Sequence, residues 1–190
     1  MGQLITQMSM SLDGFIAGPN PAPNNPLGSN GLHLHEWFET PGNHDFGKDI
    51  ENDTGAVIMG SVMYYESLPW WHGTGPLGDD VPCFVLTEKG REPKDAASVF
   101  NFITDGIEEA LKHAKAVAGN KDVLINGGAN TIQQYIKAGL IDEMYIHIVP
   151  ILLGGGTSLF GTLGEYIELE KDSVVDEKGA THLIYRFKQK

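Results

Sequence analysis

Short apolar runs recur along the chain and predict a series of β-strands. The first run covers residues 4–11. It divides into two alternating sets of side chains, as expected for the two faces of a strand: Leu4, Thr6, Met8 and Met10, and Ile5, Gln7, Ser9 and Ser11. The later runs are short and continuous, which is typical of strands that are buried on both faces. They cover residues 56–59, 83–86, 98–103, 123–125 and 144–153. Towards the end, residues 166–175 and 181–188 flank a turn at residues 176–179 and predict a hairpin.

Between these strands, apolar residues at helical spacing predict two helices. The first stripe consists of Ile107, Ala110, Leu111, Ala114, Val117 and Ala118. We predict that this helix has Asp105 as its N-cap and Gly119 as its C-cap. The second stripe, which Gly139 interrupts, consists of Ile132, Tyr135, Ile136 and Leu140. Two shorter helices are predicted around Trp37-Phe38 and Met63-Tyr64.

The alternation of strands and helices predicts an α/β fold in which helices cover both faces of a mainly parallel sheet. The terminal hairpin makes that sheet mixed. A length of 190 residues with 41% hydrophobic residues fits a single domain over residues 1–190. The most apolar run, residues 146–153, has two explanations: a strand face buried between subunits, or a strand in the core.

Charge and composition narrow the possible partners. A formal net charge of −12 argues against nucleic-acid binding, which needs a basic face. Cys83 is the single cysteine, which fits a reducing compartment, and its apolar neighbours favour a strand residue over a catalytic thiol. The first residues lack a signal-peptide pattern, and no apolar run approaches the roughly 20 residues of a membrane span. We therefore expect a cytoplasmic protein without a membrane partner.

Residues 18–31 form a segment with four prolines and four asparagines, which predicts a long loop. Loops of this length are uncommon inside compact domains and often cover a binding site. Because the segment follows the first strand closely, we favour a lid over a tolerated surface insertion.

The glycines at the ends of the predicted strands indicate a ligand site. A buried strand runs into Gly127 and Gly128, and a helix begins at once. Glycine lets a ligand approach the backbone, and the helix N-terminus attracts anions, so this segment suits a pyrophosphate. Two other predicted strands end in a similar way, at Gly60-Ser61 and at Leu86-Thr87. Because the carboxyl ends of parallel strands meet at one edge of a sheet, we expect the three strand ends to lie together. The segment around Gly127 and Gly128 is not the G-x-G-x-x-G pattern of standard dinucleotide-binding folds.

Three further segments carry polar candidates. Asp13 follows the first strand, where it would either assist proton delivery or start an Asx-turn. His33, His35 and Glu36 are close together, but no further ligand pattern accompanies them, so we predict no metal site and place His35 and Trp37 in a pocket wall. The glycines at residues 154–156 predict a flexible turn, with a phosphate-binding nest as the alternative.

Five motifs occur in an order that resembles a known superfamily. They are MSLDGFIA, AVIMGS, FVLTEK, VLINGGANTIQQYIKAGLIDE and IHIVPILLGGGTSLF. Together they resemble the dihydrofolate reductase-like superfamily. The resemblance is greater to the reductase (C-terminal) domain of the bifunctional riboflavin-biosynthesis deaminase–reductase, and in particular to stand-alone bacterial proteins of that kind. It covers nearly the whole chain and implies a three-layer α-β-α sandwich, NADPH as hydride donor and a homodimer.

The resemblance also implies a role for individual residues. Near the nicotinamide it places Ser9, Ile16 and Ala17, under the loop at residues 18–31. Against the cofactor phosphates it places Gly60 and Ser61, and beside the adenosine Leu86 and Thr87. Around the pyrophosphate it places Gly127, Gly128, Ala129, Asn130 and Thr131.

Two departures from the family pattern concern the cofactor and the substrate. Relatives commonly carry a basic residue where this chain has Ser61, and Glu88 stands near the expected 2′-phosphate, followed by Lys89 and Arg91. NADPH is therefore the expected cofactor, with NADH as an alternative. A Pro/Asn loop also replaces the serine-rich segment that holds the ribose phosphate in the riboflavin-pathway reductases.

The predicted function is hydride transfer to a small pyrimidine- or pterin-like molecule, as in the 5-amino-6-(5-phosphoribosylamino)uracil reductase of riboflavin biosynthesis. His35, Glu36 and Trp37 are the candidate substrate-binding residues. One alternative is a dihydrofolate reductase proper, in which Glu36 or Glu39 would pair with the pterin. The other is a non-catalytic nucleotide-binding module on the same fold.

Overall fold

The structure, a computed structural model, describes residues 2–22, 24–40, 44–88 and 98–188. Its strands are β1 (Leu4–Ser11), β2 (Phe15–Ala17), β3 (Thr54–Gly60), β4 (Cys83–Leu86), β5 (Phe100–Ile103), β6 (Asp122–Ile125), β7 (Glu143–Val149), β8 (Thr157–Ser158), β9 (Leu169–Glu177) and β10 (Ala180–Phe187). Its helices are a 3-10 helix (Gly31–Glu39), α1 (His44–Asp53), α2 (Ser61–Trp71), α3 (Ile107–Ala118) and α4 (Ala129–Lys137).

Eight strands form one sheet in the order β5-β4-β3-β6-β1-β7-β10-β9. All neighbouring pairs from β5 to β7 are parallel, and only β10 runs against its neighbours β7 and β9. The predicted mixed sheet with a terminal hairpin is therefore confirmed. Strands β2 and β8 pair separately as a small antiparallel sheet, which was not predicted.

Alternate residues of β3 show why the sheet has helices on both faces. Ala56 and Ile58 pack with α3 and α4 on one side of the sheet. Val57 and Met59 pack on the other side, against the fully buried Tyr64 of α2. Because successive side chains of a strand point to opposite faces, a continuous apolar run requires cover on both sides.

The remaining helical elements lie on the same face as α2. Helix α1 buries Ile50 against Ile5 and Leu124. The 3-10 helix buries Leu34 and Trp37 against the end of β7 and the start of β10. The three-layer α-β-α sandwich is thus confirmed.

Several predicted boundaries shift for local reasons. Strand β7 ends at Val149, because Pro150 has no N–H with which to continue the ladder. Within β7, Ile146 and Val149 are buried in the core of the chain, whereas Leu152, in the part of the predicted run beyond the strand, is 71% exposed. The N-cap of α3 is Gly106, with φ +94°, and not Asp105. Val117, predicted in the apolar stripe of α3, is 54% exposed.

Among the described residues, no helix is both long enough and apolar enough to cross a bilayer.

A cleft at the carboxyl edge of the sheet

A cleft of about 1060 Å³ opens at the carboxyl ends of the parallel strands. Gly60 of β3, Leu86 of β4, Ile103 of β5 and Asn126, which follows β6, all contribute to its wall. In open α/β sheets this edge is where ligands bind. The strand ends that carried the glycine and hydroxyl signals in the sequence therefore meet in one cavity.

Three helices begin at this cleft: α2 at Ser61, α3 at Ile107 and α4 at Ala129. In none of them does a side chain cap the first turn. Their N-terminal N–H groups and the positive ends of their dipoles are suited to an anionic ligand. An acidic protein can in this way bind a phosphate without a basic side chain.

The charged side chains of the cleft are acidic. Among its described lining residues there is no lysine or arginine, whereas Glu66 and Glu88 both line it. Partial burial raises the pKa of Glu66 above its ordinary value. The predicted basic candidates next to Glu88, Lys89 and Arg91, lie outside the described residues.

Glycines let the cleft floor pack closely. A Cβ atom on Gly60 would lie 2.6 Å from Thr131 Oγ1, so only glycine lets β3 approach the first turn of α4 this closely. The Gly60 N–H donates to the Gly127 carbonyl over 3.0 Å. Gly127 has φ +101°, a conformation that favours glycine, and the peptide bond to Gly128 is cis.

The proline-rich loop contributes to the cleft wall. Its arms are joined by bonds from the Gly18 N–H to the Leu27 carbonyl (2.8 Å) and from the Ser29 N–H to the Pro19 carbonyl (2.8 Å). Pro21, Pro26 and Leu27 line the cleft. Its position at the cleft agrees with a covering loop better than with a remote surface insertion. Pro23 lies outside the described residues.

Most of the predicted site residues meet in this cleft. Those that line it are Ser9, Ile16, Ala17, His35, Gly60, Ser61, Leu86, Thr87, Gly128, Ala129, Asn130 and Thr131. Four others do not line it: Asp13, Glu36, Trp37 and Gly127. Gly127 lies directly behind the wall, where its carbonyl accepts the bond from Gly60.

Asp13 holds two turns together outside the cleft. Its carboxylate accepts the N–H groups of Leu153 (3.1 Å) and Gly154 (2.7 Å) and the Ser11 hydroxyl (2.6 Å). These bonds, that from Ser11 foremost, hold the pKa of Asp13 below its ordinary value, so the group stays ionised and is unsuited to donate a proton. We therefore propose a structural role for Asp13 in place of the predicted catalytic one.

Glu36 and Trp37 also have surroundings that differ from the prediction. Glu36 is exposed and pairs with His33 Nδ1 at 2.7 Å. Trp37 is 2% exposed, and its Nε1–H donates to Ser9 Oγ over 2.9 Å, so it supports the cleft wall from behind.

In the described part of the chain, no group of three or more His, Cys, Asp and Glu residues is arranged to hold a metal ion.

A pair of histidines was missed by the sequence analysis. His147 lines the cleft, is 1% exposed, and its Nδ1 lies 2.7 Å from Nδ1 of the fully buried His182. Burial, and then the neighbouring His182, lowers the pKa of His147 to about 3. His182 Nε2 lies 3.2 Å from Glu177 Oε2. The only sequence signal was one histidine in an otherwise apolar strand.

A sheet whose carboxyl edge gathers three helix N-termini and a glycine floor is suited to an extended anionic ligand. Residues 3–181 match the family model of the RibD C-terminal domain, and the chain belongs to this family. The predicted membership among riboflavin-type reductase domains is confirmed.

Individual relatives and solved structures are similar to nearly the whole chain. The protein YyaP of Bacillus subtilis is 33% identical over 97% of this chain and 95% of its own length. A structure from Shewanella sp. PV-4, assigned to riboflavin biosynthesis, is 25% identical over 98% of this chain and 99% of its own, with a TM-score of 0.78. The structure of dihydrofolate reductase from Enterococcus faecalis, complexed with NADP(H), superposes with a TM-score of 0.61 at 19% identity. The match covers 99% of this chain and 98% of the reductase chain, and it confirms the predicted fold.

Proposed function

We propose that this protein is an NADPH-dependent reductase that transfers a hydride to a riboflavin-type aminopyrimidine. The observation that carries the proposal is the extended cleft in which three uncapped helix N-termini and a glycine floor meet, in a chain of the RibD C-terminal domain family. A volume of about 1060 Å³ and these anion-binding groups suit a dinucleotide.

We assign the parts of the cofactor to the cleft as follows. Residues 128–131 and Ser61 would hold the phosphates, because two helices begin there at the cleft wall; Gly127, which does not line the cleft, would support them from behind. Leu86 and Thr87 would flank the adenosine. Ser9, Ile16 and Ala17 would lie beside the nicotinamide, next to the proline-rich loop.

A dihydronicotinamide supplies a hydride from its C4 when it is bound. This chain's part is to orient the two rings and to exclude water. Met8, Ile16 and Leu27 give the cleft an apolar wall for that purpose. Residues 18–31 would cover the reacting ends.

The substrate end of the cleft carries few polar groups. Gln7 lines the cleft, and its buried Oε1 accepts no hydrogen bond from the described residues. Such an acceptor fits a ring N–H of a pyrimidine. A dihydrofolate reductase proper would need a carboxylate from the 3-10 helix in the cleft, but Glu36 and Glu39 are exposed and line no part of it. The aminopyrimidine is therefore the better candidate.

Cofactor preference is a separate part of the proposal. Glu88 and Glu66 repel a 2′-phosphate placed near them, while an aqueous cleft mouth screens that repulsion. The family resemblance implies NADPH as the donor, and because of this repulsion we propose that NADH also binds. A homodimer, which the family resemblance implies, belongs to the same proposal, and light scattering on a sizing column tests it.

Calorimetric titration with NADPH and with NADH at one stated salt concentration tests the cofactor site. We expect binding of both, and we expect Ser61→Glu, which adds a carboxylate at the start of α2, to weaken it at least about tenfold. Ser98→Glu is the matched control, since Ser98 is exposed before β5, away from the cleft. Absence of binding to either nucleotide would refute the proposal.

Loss of absorbance at 340 nm then tests the reaction. With 5-amino-6-(5-phosphoribosylamino)uracil as the added substrate we expect NADPH oxidation, and with dihydrofolate none. A protein that binds NADPH but oxidises it with neither molecule would instead be the non-catalytic module. Oxidation with dihydrofolate alone would favour the reductase of that name.

A further inference from the structure

The substrate end of the cleft lies beside β1 and next to the proline-rich loop. We define it by the described lining residues of four elements: β1, β7, the 3-10 helix and that loop. Its polar side chains are Gln7, Ser9, His35 and His147, and the loop adds only Pro21, Pro26 and Leu27. None of these described residues is a lysine, an arginine or a carboxylate.

Both histidines at the substrate end are uncharged at neutral pH. Burial lowers the pKa of His35, and burial followed by the neighbouring His182 lowers the pKa of His147 to about 3. A neutral imidazole does not serve as the counter-ion of a phosphate. Residues 23 and 41–43, which lie outside the described part of the chain, are proline, glycine and asparagine and carry no charge.

The anion-binding groups of the cleft lie away from the substrate end. In the proposed function, the helix starts at Ser61 and Ala129 hold the dinucleotide phosphates. The third helix start, at Ile107, follows β5, the edge strand that is four positions from β1 in the sheet. Glu66 and Glu88 add negative charge to the lining, and the whole chain carries a formal charge of −12. A second anion beside the bound dinucleotide is therefore repelled.

Gln7 gives the substrate end a neutral polar group. Gln7 and Ser9 are two residues apart on β1, so their side chains point to the same face of the sheet. The Ser9 hydroxyl accepts the Trp37 Nε1–H, whereas the buried Oε1 of Gln7 accepts no hydrogen bond from the described residues. Because a buried acceptor without a donor is unfavourable, a ligand N–H that reaches Gln7 gains affinity without any charge.

We propose that the molecule reduced in this cleft is an uncharged ring compound, an aminopyrimidine whose sugar carries hydroxyl groups and no phosphate. Gln7 accepts a ring N–H of this molecule, and Leu27 and Phe38 give its ring an apolar surface. The inference rests on the proposed reductase function and narrows its substrate class. A phosphorylated molecule is the poorer substrate, because the described residues of the substrate end offer its phosphate no cation and the bound dinucleotide repels it.

Steady-state kinetics with a matched pair of substrates test the inference. The pair is 5-amino-6-(5-phosphoribosylamino)uracil and the same molecule after a phosphatase has removed its phosphate. With NADPH saturating and at low salt, we expect kcat/KM to be higher for the dephosphorylated molecule, by about threefold or more. A cationic phosphate site would reverse this order, since each hydrogen bond to a charged group changes affinity about tenfold or more. A kcat/KM that is equal for the two molecules, or higher for the phosphorylated one, overturns the inference.

The salt dependence gives the sign of the interaction with the phosphate. Added salt screens a repulsion, so kcat/KM for the phosphorylated molecule should rise with salt, while that for the dephosphorylated molecule stays constant. NADPH is kept saturating at each salt concentration. A kcat/KM for the phosphorylated molecule that falls with salt would reveal an attracting cation and would refute the inference.

A cation added at the substrate end tests what limits the phosphorylated molecule. Pro21 is exposed and lines the cleft, so Pro21→Arg supplies such a cation. Leu32→Arg is the matched control, because Leu32 is exposed on the 3-10 helix and does not line the cleft. Pro21→Arg should shift the ratio of the two kcat/KM values towards the phosphorylated molecule by about threefold or more, and Leu32→Arg should keep the wild-type ratio. An unchanged ratio in Pro21→Arg counts against the inference.

The variant Gln7→Leu tests recognition of the ring. It removes the buried acceptor, so kcat/KM should fall about tenfold, by the same factor for both molecules. A loss for the phosphorylated molecule alone would mean that Gln7 binds the phosphate, which contradicts the inference.

The inference and the reductase function fail in different ways. If the wild type oxidises NADPH with neither molecule, the reductase function fails. Calorimetric titration of the NADPH-bound protein with the same two molecules then tests the substrate end by itself. Tighter binding of the dephosphorylated molecule supports the inference. Tighter binding of the phosphorylated molecule, equal binding or binding of neither overturns it.

Discussion

An alanine at position 60 would place a methyl group against the start of helix α4. The Cβ of that alanine would lie 2.6 Å from Thr131 Oγ1, whereas the next atom, Thr131 Cβ, is 3.9 Å away. Thr131 is 5% exposed and β-branched, so its side chain has little freedom to rotate away. The clash therefore depends almost entirely on one oxygen atom.

Two opposing contributions set the size of the effect. Overpacking of this kind typically costs about 1–3 kcal/mol. Gly60 has φ −81° and ψ +154°, which alanine adopts readily, so replacing glycine also stabilises by about 0.4–1 kcal/mol through the unfolded state. We expect Gly60→Ala to lower the free energy of unfolding by roughly 1–2 kcal/mol, and the melting temperature by about 2–4 °C per kcal/mol.

Urea unfolding of a double-mutant cycle separates these contributions. In a Thr131→Ala background the clashing oxygen is gone, so Gly60→Ala should become neutral or stabilising. The change of sign corresponds to a coupling of about 1–3 kcal/mol, within the range known for contacting residues. If Gly60→Ala destabilises both backgrounds equally, the close packing of β3 on α4 is not the reason for the glycine.

Three further predictions concern the turn at Asp13, the buried histidines and the cysteine. Asp13→Asn should lower the melting temperature but leave kcat unchanged, because its carboxylate accepts bonds from two turns outside the cleft; a large loss of kcat would restore its catalytic role. The pKa of His147 is 6.5 in the unfolded chain and about 3 in the native protein. The free energy of unfolding should therefore fall as the pH is lowered between these values, by up to about 1.4 kcal/mol per pH unit. Urea titrations of wild type and His147→Phe check this, since the variant should show a shallower slope, with His182, whose pKa burial also lowers, keeping its own share. Burial raises the pKa of Cys83 to about 12, so a thiol-specific chromogenic reagent at pH 8 should modify it only after unfolding.

The strands and helices that were predicted share a local signal. Strands β3, β4 and β6 contain continuous apolar runs bounded by glycine, proline or polar residues, and α3 and α4 carry apolar stripes ended by glycine. Helix α1 was missed because Ile50 is the one described residue that it contributes to the core. Strands β2 and β8, of three and two residues, are too short to show a period.

The candidate site, too, could be predicted from the sequence only where its signal is local. The glycine-rich strand ends were visible because their signal is contained in a few neighbouring residues. The contact of His147 with His182 spans 35 residues and exists only in the register of β7 with β10. Gly154, whose N–H Asp13 accepts, is 141 residues away in the sequence. No local pattern could therefore distinguish a structural role of the Asp13 carboxylate from a catalytic one.

The position of β1 in the sheet has a consequence for synthesis. It leaves the ribosome well before both of its neighbours, β6 and β7; Thr6 bonds to a residue 119 positions further on. Until those strands emerge, Leu4, Ile5 and Met10 have no ladder to join, so the nascent chain carries an unpaired apolar strand over that interval. The yield of native protein should therefore depend on what shields β1 during elongation, and slower translation ahead of β6 should lower it.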